Sequence, residues 1–367
     1  MDDNNRKNFN FKYIVLKQWI VDNIKNKTFK YNDKLPSENL LCRKFGISRQ
    51  TVRNAMAQLS EEGVVKKVRG SGMYVNKTFA AATSKTVGIL ISYLNEYIFQ
   101  HIFKEIETVL QLEGYEIDLC ISENRIEQER GFLDRMYHSD VAGLIIEGTR
   151  SALPNPNIRY YRKLEEKDVP FLFIHNYYND VKCPSILMDD IGASKRMTQM
   201  LIEAGHTEIA GIFKGDDLQG HRRYLGYVEA LNEAGIPVRE ELIGWFYSNY
   251  DNNILLEISI KAILDTLDYY TAMVSYNDLI ALEINKFCVK NGISIPDDVS
   301  MVSFDDGVAS SSLGIISAKH PKKLLGIEAA MRILRMIREG REAIPPVPYV
   351  ISTELALRDS IKNITAL

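Results

Sequence analysis

Between residues 49 and 54 the chain places Arg49, Gln50, Arg53 and Asn54 where one side of a helix would carry them together. Arg presents paired donors to guanine, and Gln and Asn match adenine, along the edge that DNA shows in its major groove. Val52, Ala55, Met56 and Leu59 fall on the opposite side at helical spacing and are expected to point inward. Ser48 can cap this helix. A shorter helix precedes it, opened by Ser37 and Glu38 and closed by Gly46, and that spacing is a helix-turn-helix. A two-stranded ribbon follows from Val64 to Val75, turning at Gly70-Ser71-Gly72 beside Lys66, Lys67 and Arg69, which suits phosphate or minor-groove contact. The residues expected to meet a duplex are Ser37, Glu38, Arg43, Ser48, Arg49, Gln50, Thr51, Arg53, Lys67, Arg69, Gly70 and Gly72. Lys12 and Tyr13 join them, near the start of an amphipathic helix from Phe11 to Ile24. Two capped helices and a hairpin also occur in domains with other tasks; charge and order together favour DNA.

A second chemistry is spread along the rest of the chain. Polar and aromatic residues follow one apolar strand after another: Tyr93, Tyr97 and Phe99, then Glu147, then His175, then Lys214, Gln219 and Arg223. Tyr276 and Asn277, then Asp305 and finally His320 complete the series. A sugar needs partners for hydroxyls that both donate and accept, and a flat apolar surface for its C–H face. Carboxylates, amides and Arg meet the first need, and Tyr or Phe the second. The bland alternative is a helix cap: either Asn277 or Asp278 is placed to serve one. Asp305-Asp306 could attract a metal, but no set of oxygen ligands is spaced around it. No cofactor is expected.

These residues need elements to hold them. From Thr86 onward short apolar strands alternate with amphipathic helices. Strands are expected at Val87 to Ile91, Ile117 to Ile121, Gly143 to Ile146 and Phe171 to Ile174. A second round starts after Asp189-Asp190, with strands at Ile209 to Phe213, Ala272 to Ser275, Val299 to Phe304 and Ile316 to Ala318. Its helices run from Ala193 to Ala204, Arg222 to Ala234, Ile254 to Leu267, Leu279 to Lys290 and Leu325 to Arg338. Near-continuous apolar strands separated by helices predict parallel sheets covered on both faces, in two lobes of similar size. A ligand would sit beyond the carboxyl ends of the strands, where the lobes meet. The predicted fold class is thus α/β, with a helix-turn-helix head over residues 1–78, a linker over 79–85 and a two-lobed body over 86–367.

Charge follows the same division. Residues 1–78 hold 16 Lys and Arg against 7 Asp and Glu, about +9, which leaves about −12 for the rest of a chain whose net charge is −3. A basic head on an acidic body suits a head that touches nucleic acid. Cys42, Cys120, Cys183 and Cys288 show no paired spacing, so buried free thiols in a reducing cytoplasm are expected. No apolar run is long enough to cross a bilayer. No Ser/His/Asp set, phosphate loop or metal cluster points to an enzyme.

Residues 35–75 resemble the winged helix of GntR-type bacterial regulators, through Pro36-Ser37-Glu38, Phe45-Gly46-Ile47-Ser48-Arg49, Thr51-Val52-Arg53, Glu62-Gly63 and Gly70-Ser71-Gly72. Residues 86–358 resemble the sensor body of LacI/GalR-type regulators, a periplasmic-binding-protein fold. The matching stretches are Gly143-Leu144-Ile145-Ile146, Arg223-Tyr224-Leu225-Gly226-Tyr227, Asn277-Asp278, Ile295-Pro296-Asp297-Asp298-Val299-Ser300 and Phe304-Asp305-Asp306. The resemblance implies a sugar-responsive repressor, a homodimer whose two winged helices meet an inverted repeat in operator DNA. It implies L-arabinose, or another pentose or a hexose, as the effector that lowers DNA affinity. Arg223, Asn277 and Asp305 would clamp the sugar from one lobe, with His175 and Glu147 reaching it from the other and His320 and Gln219 lining the cleft. His175 departs from the Asp or Asn usual at its position. A sugar transport receptor is the alternative outside gene regulation.

Overall fold

The computed structural model describes residues 3–25, 28–68, 70–76, 85–93, 97–248 and 254–365, with side chains from residue 13 onward apart from those of residues 97 and 254–256. The expected linker lies, but for Lys85, outside the described residues.

The head is built from α1 (Asp3–Lys25), α2 (Glu38–Phe45) and α3 (Arg49–Glu61), followed by the hairpin β1 (Val65–Val68) and β2 (Gly72–Val75). Its first helix starts eight residues earlier than the apolar pattern suggests. Ser37 Oγ accepts the Leu40 N–H and Ser48 Oγ accepts the Thr51 N–H, so both helices of the motif begin on a side-chain cap. Gly46 ends α2 in the left-handed conformation, at φ 60°. Leu16 and Ile20 from α1, Leu41 from α2 and Val52, Ala55, Met56 and Leu59 from α3 close the core against Val65 and Val75 of the hairpin.

Two six-stranded sheets make the body. The first contains β3 (Thr86–Ile91), β4 (Glu116–Ile121), β5 (Gly143–Ile146), β6 (Phe171–Ile174) and β7 (Ser185–Met188). The second contains β8 (Ile209–Lys214), β9 (Ile243–Phe246), β10 (Ala272–Ser275), β11 (Ser300–Asp305) and β12 (Ile316–Lys319). Two late strands, β13 (Pro348–Ile351) and β14 (Leu355–Ala356), are divided between them. The orders are β13-β7-β6-β5-β3-β4 and β14-β12-β11-β10-β8-β9, parallel except for the antiparallel β14. Helices cover both faces, and the inner strands are buried along nearly their whole length, as their continuous apolar runs require.

Four of these strands, β7, β9, β13 and β14, are not signalled by long apolar runs. The last long helix, Lys322–Glu339, is also placed differently from its position in the sequence. Although it follows β12 of the second sheet, it packs on the first, where Leu325, Ala329, Ile333 and Ile337 join Ile102, Ile106 and Ile145 in one core. Close approach fixes it there: a Cβ at Gly326 would stand 2.7 Å from the Ile102 carbonyl oxygen. The chain therefore crosses between lobes at residues 189–190, 320–321 and 352–354. All three crossings lie at the β13–β7 edge of one sheet and the β14–β12 edge of the other, which makes that edge the hinge.

Candidate DNA interface and ligand cleft

The head presents Arg49, Gln50, Arg53 and Asn54 to solvent, as the helical spacing requires. Gln50 Nε2 donates to Asn54 Oδ1 at 3.0 Å, and Arg53 Nε pairs with Glu38 Oε2 at 3.0 Å. Glu38 thus holds Arg53 in place across the turn. Arg43, Lys67 and Gly70 are exposed on the same domain, while Ser37 and Ser48 are occupied as caps. Thr51 is not on the open face: it is 2% exposed, with its hydroxyl 2.8 Å from Ser48 Oγ, so it braces the cap. Tyr13 is half-buried and its hydroxyl is shielded from solvent. Gly72 opens β2 at φ 126°. Arg69 and the Lys12 side chain lie outside what the structure describes.

In the body, the carboxyl ends of both sheets face one cleft of about 370 Å³. Phe99, Glu147, His175, Lys214, Gln219, Arg223, Tyr276, Asn277, Asp305 and His320 line it together, and the Tyr97 side chain is outside the described residues. Asp217, Phe246, Tyr247, Ser248 and Glu283 also line it. Phe246 ends β9 and Tyr247 and Ser248 follow it; the apolar pattern does not mark that strand, so strand ends read from the sequence pass them by. Trp245-Phe246-Tyr247, three aromatics running out of a strand into polar residues, was the available signal.

Arg223, from the helix Leu218–Glu233, is the centre of the second lobe's half. It is 2% exposed, donates from Nε to Asp190 Oδ1 at 2.9 Å and from Nη1 to the Tyr276 carbonyl at 2.5 Å, and reaches Asp305 Oδ1 from Nη2 at 3.4 Å. Its guanidinium lies between the rings of Tyr276 and Phe304, 4.7 and 4.2 Å from their centroids. Burial alone would lower its pKa, but Asp190 and Asp305 outweigh that and raise it. One cation facing two buried carboxylates leaves an anionic excess. Burial accordingly lifts Asp305 to about 6 and raises Asp190 as well, with Arg223 opposing both shifts. Asp305, the last residue of β11, and His175, the residue after β6, lie in the left-handed region, at φ 90° and 64°. Non-Gly residues held there are strained, and such strain gathers at binding sites.

The first lobe contributes a different set. Glu147 accepts the Ser92 N–H at 2.6 Å and faces His175 Nδ1 at 3.3 Å. A carboxylate only accepts, so a proton on His175 Nδ1 faces Glu147. Nε2 of His175, Nδ1 of His320 and Nε2 of Gln219 are buried with no hydrogen-bond partner among the described residues. Buried polar atoms without partners are costly, and a ligand rich in hydroxyls would satisfy these. Burial, reinforced by His175, Arg223 and Lys322, holds His320 well below the usual histidine range, so it is neutral. Phe99 packs its ring edge-on to His175 at 5.2 Å and supplies the apolar wall.

Two neighbours of the site serve the fold. Asn277 Oδ1 accepts the Ile280 N–H and caps its helix, while also lining the cleft. Asp278 accepts from Ser310, Ser317 and the Gly307 N–H, tying that helix to the loop after β11. Among the described residues no cluster of His, Cys, Asp or Glu could hold a metal, and no helix is long and apolar enough to cross a membrane.

Residues 12–75 match the family model described as bacterial regulatory proteins, gntR family, and residues 198–361 match the periplasmic binding protein-like domain. An arabinose metabolism transcriptional repressor of Geobacillus stearothermophilus is 35% identical over 96% of this chain and 98% of its own length. One of Halalkalibacterium halodurans is 33% identical over 90% of each chain. Among solved structures, the transcription regulator CcpA of Lactococcus lactis superposes on 76% of this chain and all of its own with a TM-score of 0.66 at 22% identity. A complex of the transcriptional regulator CelR with cellobiose covers 89% of this chain and all of its own, with a TM-score of 0.65 at 24% identity. The structural likenesses establish the fold.

Proposed function

Because the chain belongs to the family of arabinose metabolism transcriptional repressors and is therefore a sugar-responsive, DNA-binding regulator rather than an enzyme, we propose that its effector is L-arabinose and that it acts as a homodimer. The observation that carries the effector is the identity of 35% along 96% of the chain with a repressor named for arabinose metabolism. The cleft supports it: buried polar atoms without partners among the described residues, a carboxylate–arginine clamp and an aromatic wall suit a neutral polyol. No further cofactor is needed for this reading, and it places the protein in the cytoplasm beside its DNA.

Two copies would present two winged helices to the halves of an inverted repeat. An apolar groove beside the cleft, where Leu279 and Val308 are exposed next to Ile98 and Leu313, offers a surface for the second copy. Sugar binding then alters the angle between lobes and operator affinity falls. Coupling of about 1–3 kcal/mol would change that affinity roughly 5- to 150-fold.

The test is direct. DNA selected by the protein from a random pool is titrated with and without L-arabinose, and the same sugar is titrated calorimetrically beside D-xylose, D-ribose and D-galactose. L-arabinose should bind and weaken the DNA complex. DNA binding unchanged by L-arabinose sinks the effector, and a monomer by light scattering on selected DNA sinks the dimer.

A further inference from the structure

At the edge of the sheets opposite the hinge, the lobes are joined directly. Asn124 follows β4 and Arg150 follows β5, while Asp216 follows β8 and Ser248 follows β9, so all four stand on the far side of the cleft from the three crossings. Asn124 Nδ2 donates to Ser248 Oγ at 2.6 Å, and Arg150 Nη2 reaches the Ser248 carbonyl at 3.4 Å. Arg150 Nε stands 3.9 Å from Asp216 Oδ2, which also accepts the Ser248 N–H at 3.0 Å. Beside them the Ala152 N–H donates to the Asp216 carbonyl at 3.3 Å, and Ser151 Oγ donates to Asp217 Oδ1 at 3.1 Å while accepting the Leu218 N–H at 2.9 Å.

Both halves are made rigid before they meet. Asn124 and Arg150 adopt φ of 54° and 46°, and the Arg150 N–H donates to Asn124 Oδ1 at 2.7 Å, fastening one loop to the other. Glu129, fully buried, accepts from Asn155, Asn157 and Tyr161 at 2.7–2.8 Å, and the single Tyr178 O–H lies between Glu129 Oε1 at 2.7 Å and the Thr149 carbonyl at 2.8 Å, so the loop that carries Arg150 is pinned from below. In the second lobe Asp216 is completely buried.

We propose that Asn124, Arg150 and Ser151 of the first lobe and Asp216 and Ser248 of the second form a clasp that sets how readily the cleft shuts on its sugar. They are positioning residues. A hinge at one edge lets the lobes swing, and a clasp at the other sets the free energy of the closed arrangement. Asp217 links clasp to cleft: it receives Ser151 on one side, and on the other it accepts from Tyr276 Oη at 3.3 Å and faces Lys214 Nζ at 3.8 Å. If only the shut form binds sugar tightly, apparent affinity scales with the fraction of the protein already shut. Loosening the clasp therefore weakens every sugar by one common factor, whereas losing a contact residue changes the ranking among sugars.

The proposal rests on the sensor reading for its consequences and on the geometry alone for its existence, so two measurements separate them. Hydrogen exchange on the sugar-free full-length protein reads the Ala152 and Leu218 amides, which donate across the seam. In the wild type both should be protected, and Asn124→Gly, which tolerates the positive φ, should speed both at least tenfold while the strand amides of Ile145 and Val274 stay protected. Asp216→Asn should act in the same direction. Exchange at these two amides as fast as in an exposed loop, or no response to either variant, overturns the clasp. Calorimetry with L-arabinose and D-xylose then asks whether both variants weaken each sugar the wild type binds by the same factor; a loss confined to one sugar overturns the positioning role. A wild type that binds neither sugar defeats the assigned effector, and exchange still decides the clasp.

Discussion

Asp305→Asn exposes the electrostatic cost built into the cleft. Asp305 closes β11 at φ 90°, is 5% exposed, and burial lifts its pKa from 3.8 to about 6 although Arg223 Nη2 stands 3.4 Å away. The gap between 3.8 and about 6 is worth about 3 kcal/mol of differential interaction. A raised acid pKa means that the folded protein binds the proton more tightly than the unfolded chain does. That contribution to stability is fully present below 3.8 and is lost as pH climbs through about 6. Asn keeps the shape, tolerates the left-handed backbone and cannot ionise. At pH 8 the variant should therefore be more stable than the wild type by up to about 3 kcal/mol, reduced by whatever pairing with Arg223 is lost. By pH 5 the advantage should fall to about half. Arg223 still has Asp190 at 2.9 Å, so it is not stranded. Sugar affinity should move the other way. Exchanging a charged acceptor for a neutral amide removes about 1.5–3 kcal/mol, roughly ten- to a hundredfold in Kd. Urea unfolding at pH 8, 6.5 and 5, followed by circular dichroism and by the fluorescence of Trp245 in the second lobe, measures the first effect, and calorimetry the second. A variant less stable than wild type at pH 8, or a difference that does not change with pH, refutes the reasoning.

Other expectations concern separate parts of the molecule. Arg49→Ala removes an exposed side chain at the start of α3; DNA affinity should drop by about 1–3 kcal/mol, read by fluorescence anisotropy, with the sugar Kd unchanged. Leu59→Ala hollows the head, where Leu59 is fully buried, and should cost about 2–5 kcal/mol, abolishing DNA binding at 37 °C while the body binds sugar normally. Between pH 7 and pH 5 sugar affinity should weaken about tenfold, because Asp305 gains a proton below about 6 and loses the negative charge that strengthens its hydrogen bonds; equal Kd values at the two pH values would remove the anion from the binding mechanism. DNA affinity should fall steeply as salt rises from 50 to 200 mM, since phosphate contacts release counterions.

The helix-turn-helix was legible because its determinants are local: a cap at Ser37, another at Ser48, Gly46 between them and apolar residues at helical spacing. The same is true of the central strands, whose apolar runs need no partner to be recognised. The strand-end residues could be gathered from the sequence because in parallel sheets a carboxyl end is where the next helix starts, and a cap there looks much like a ligand contact. Asn277 proves to be both. What sequence could not supply is anything that depends on which lobe a segment joins. The helix Lys322–Glu339 follows a strand of one sheet and packs on the other, because its apolar face fits the face of the helix Tyr97–Leu112, although Leu112 and Lys322 are 210 positions apart in the chain. Short strands such as β9, interrupted by Gly244, and β13, opened by Pro348, are only four residues long, and they exist because an edge was open to pair with. Burial of Thr51, the sharing of Arg223 between two carboxylates and the meeting of Asn124 with Ser248 are all products of tertiary proximity. Local spacing fixed which residues could do chemistry; only the packed lobes decided which of them face one another, since neither distance nor desolvation exists until the chain has folded.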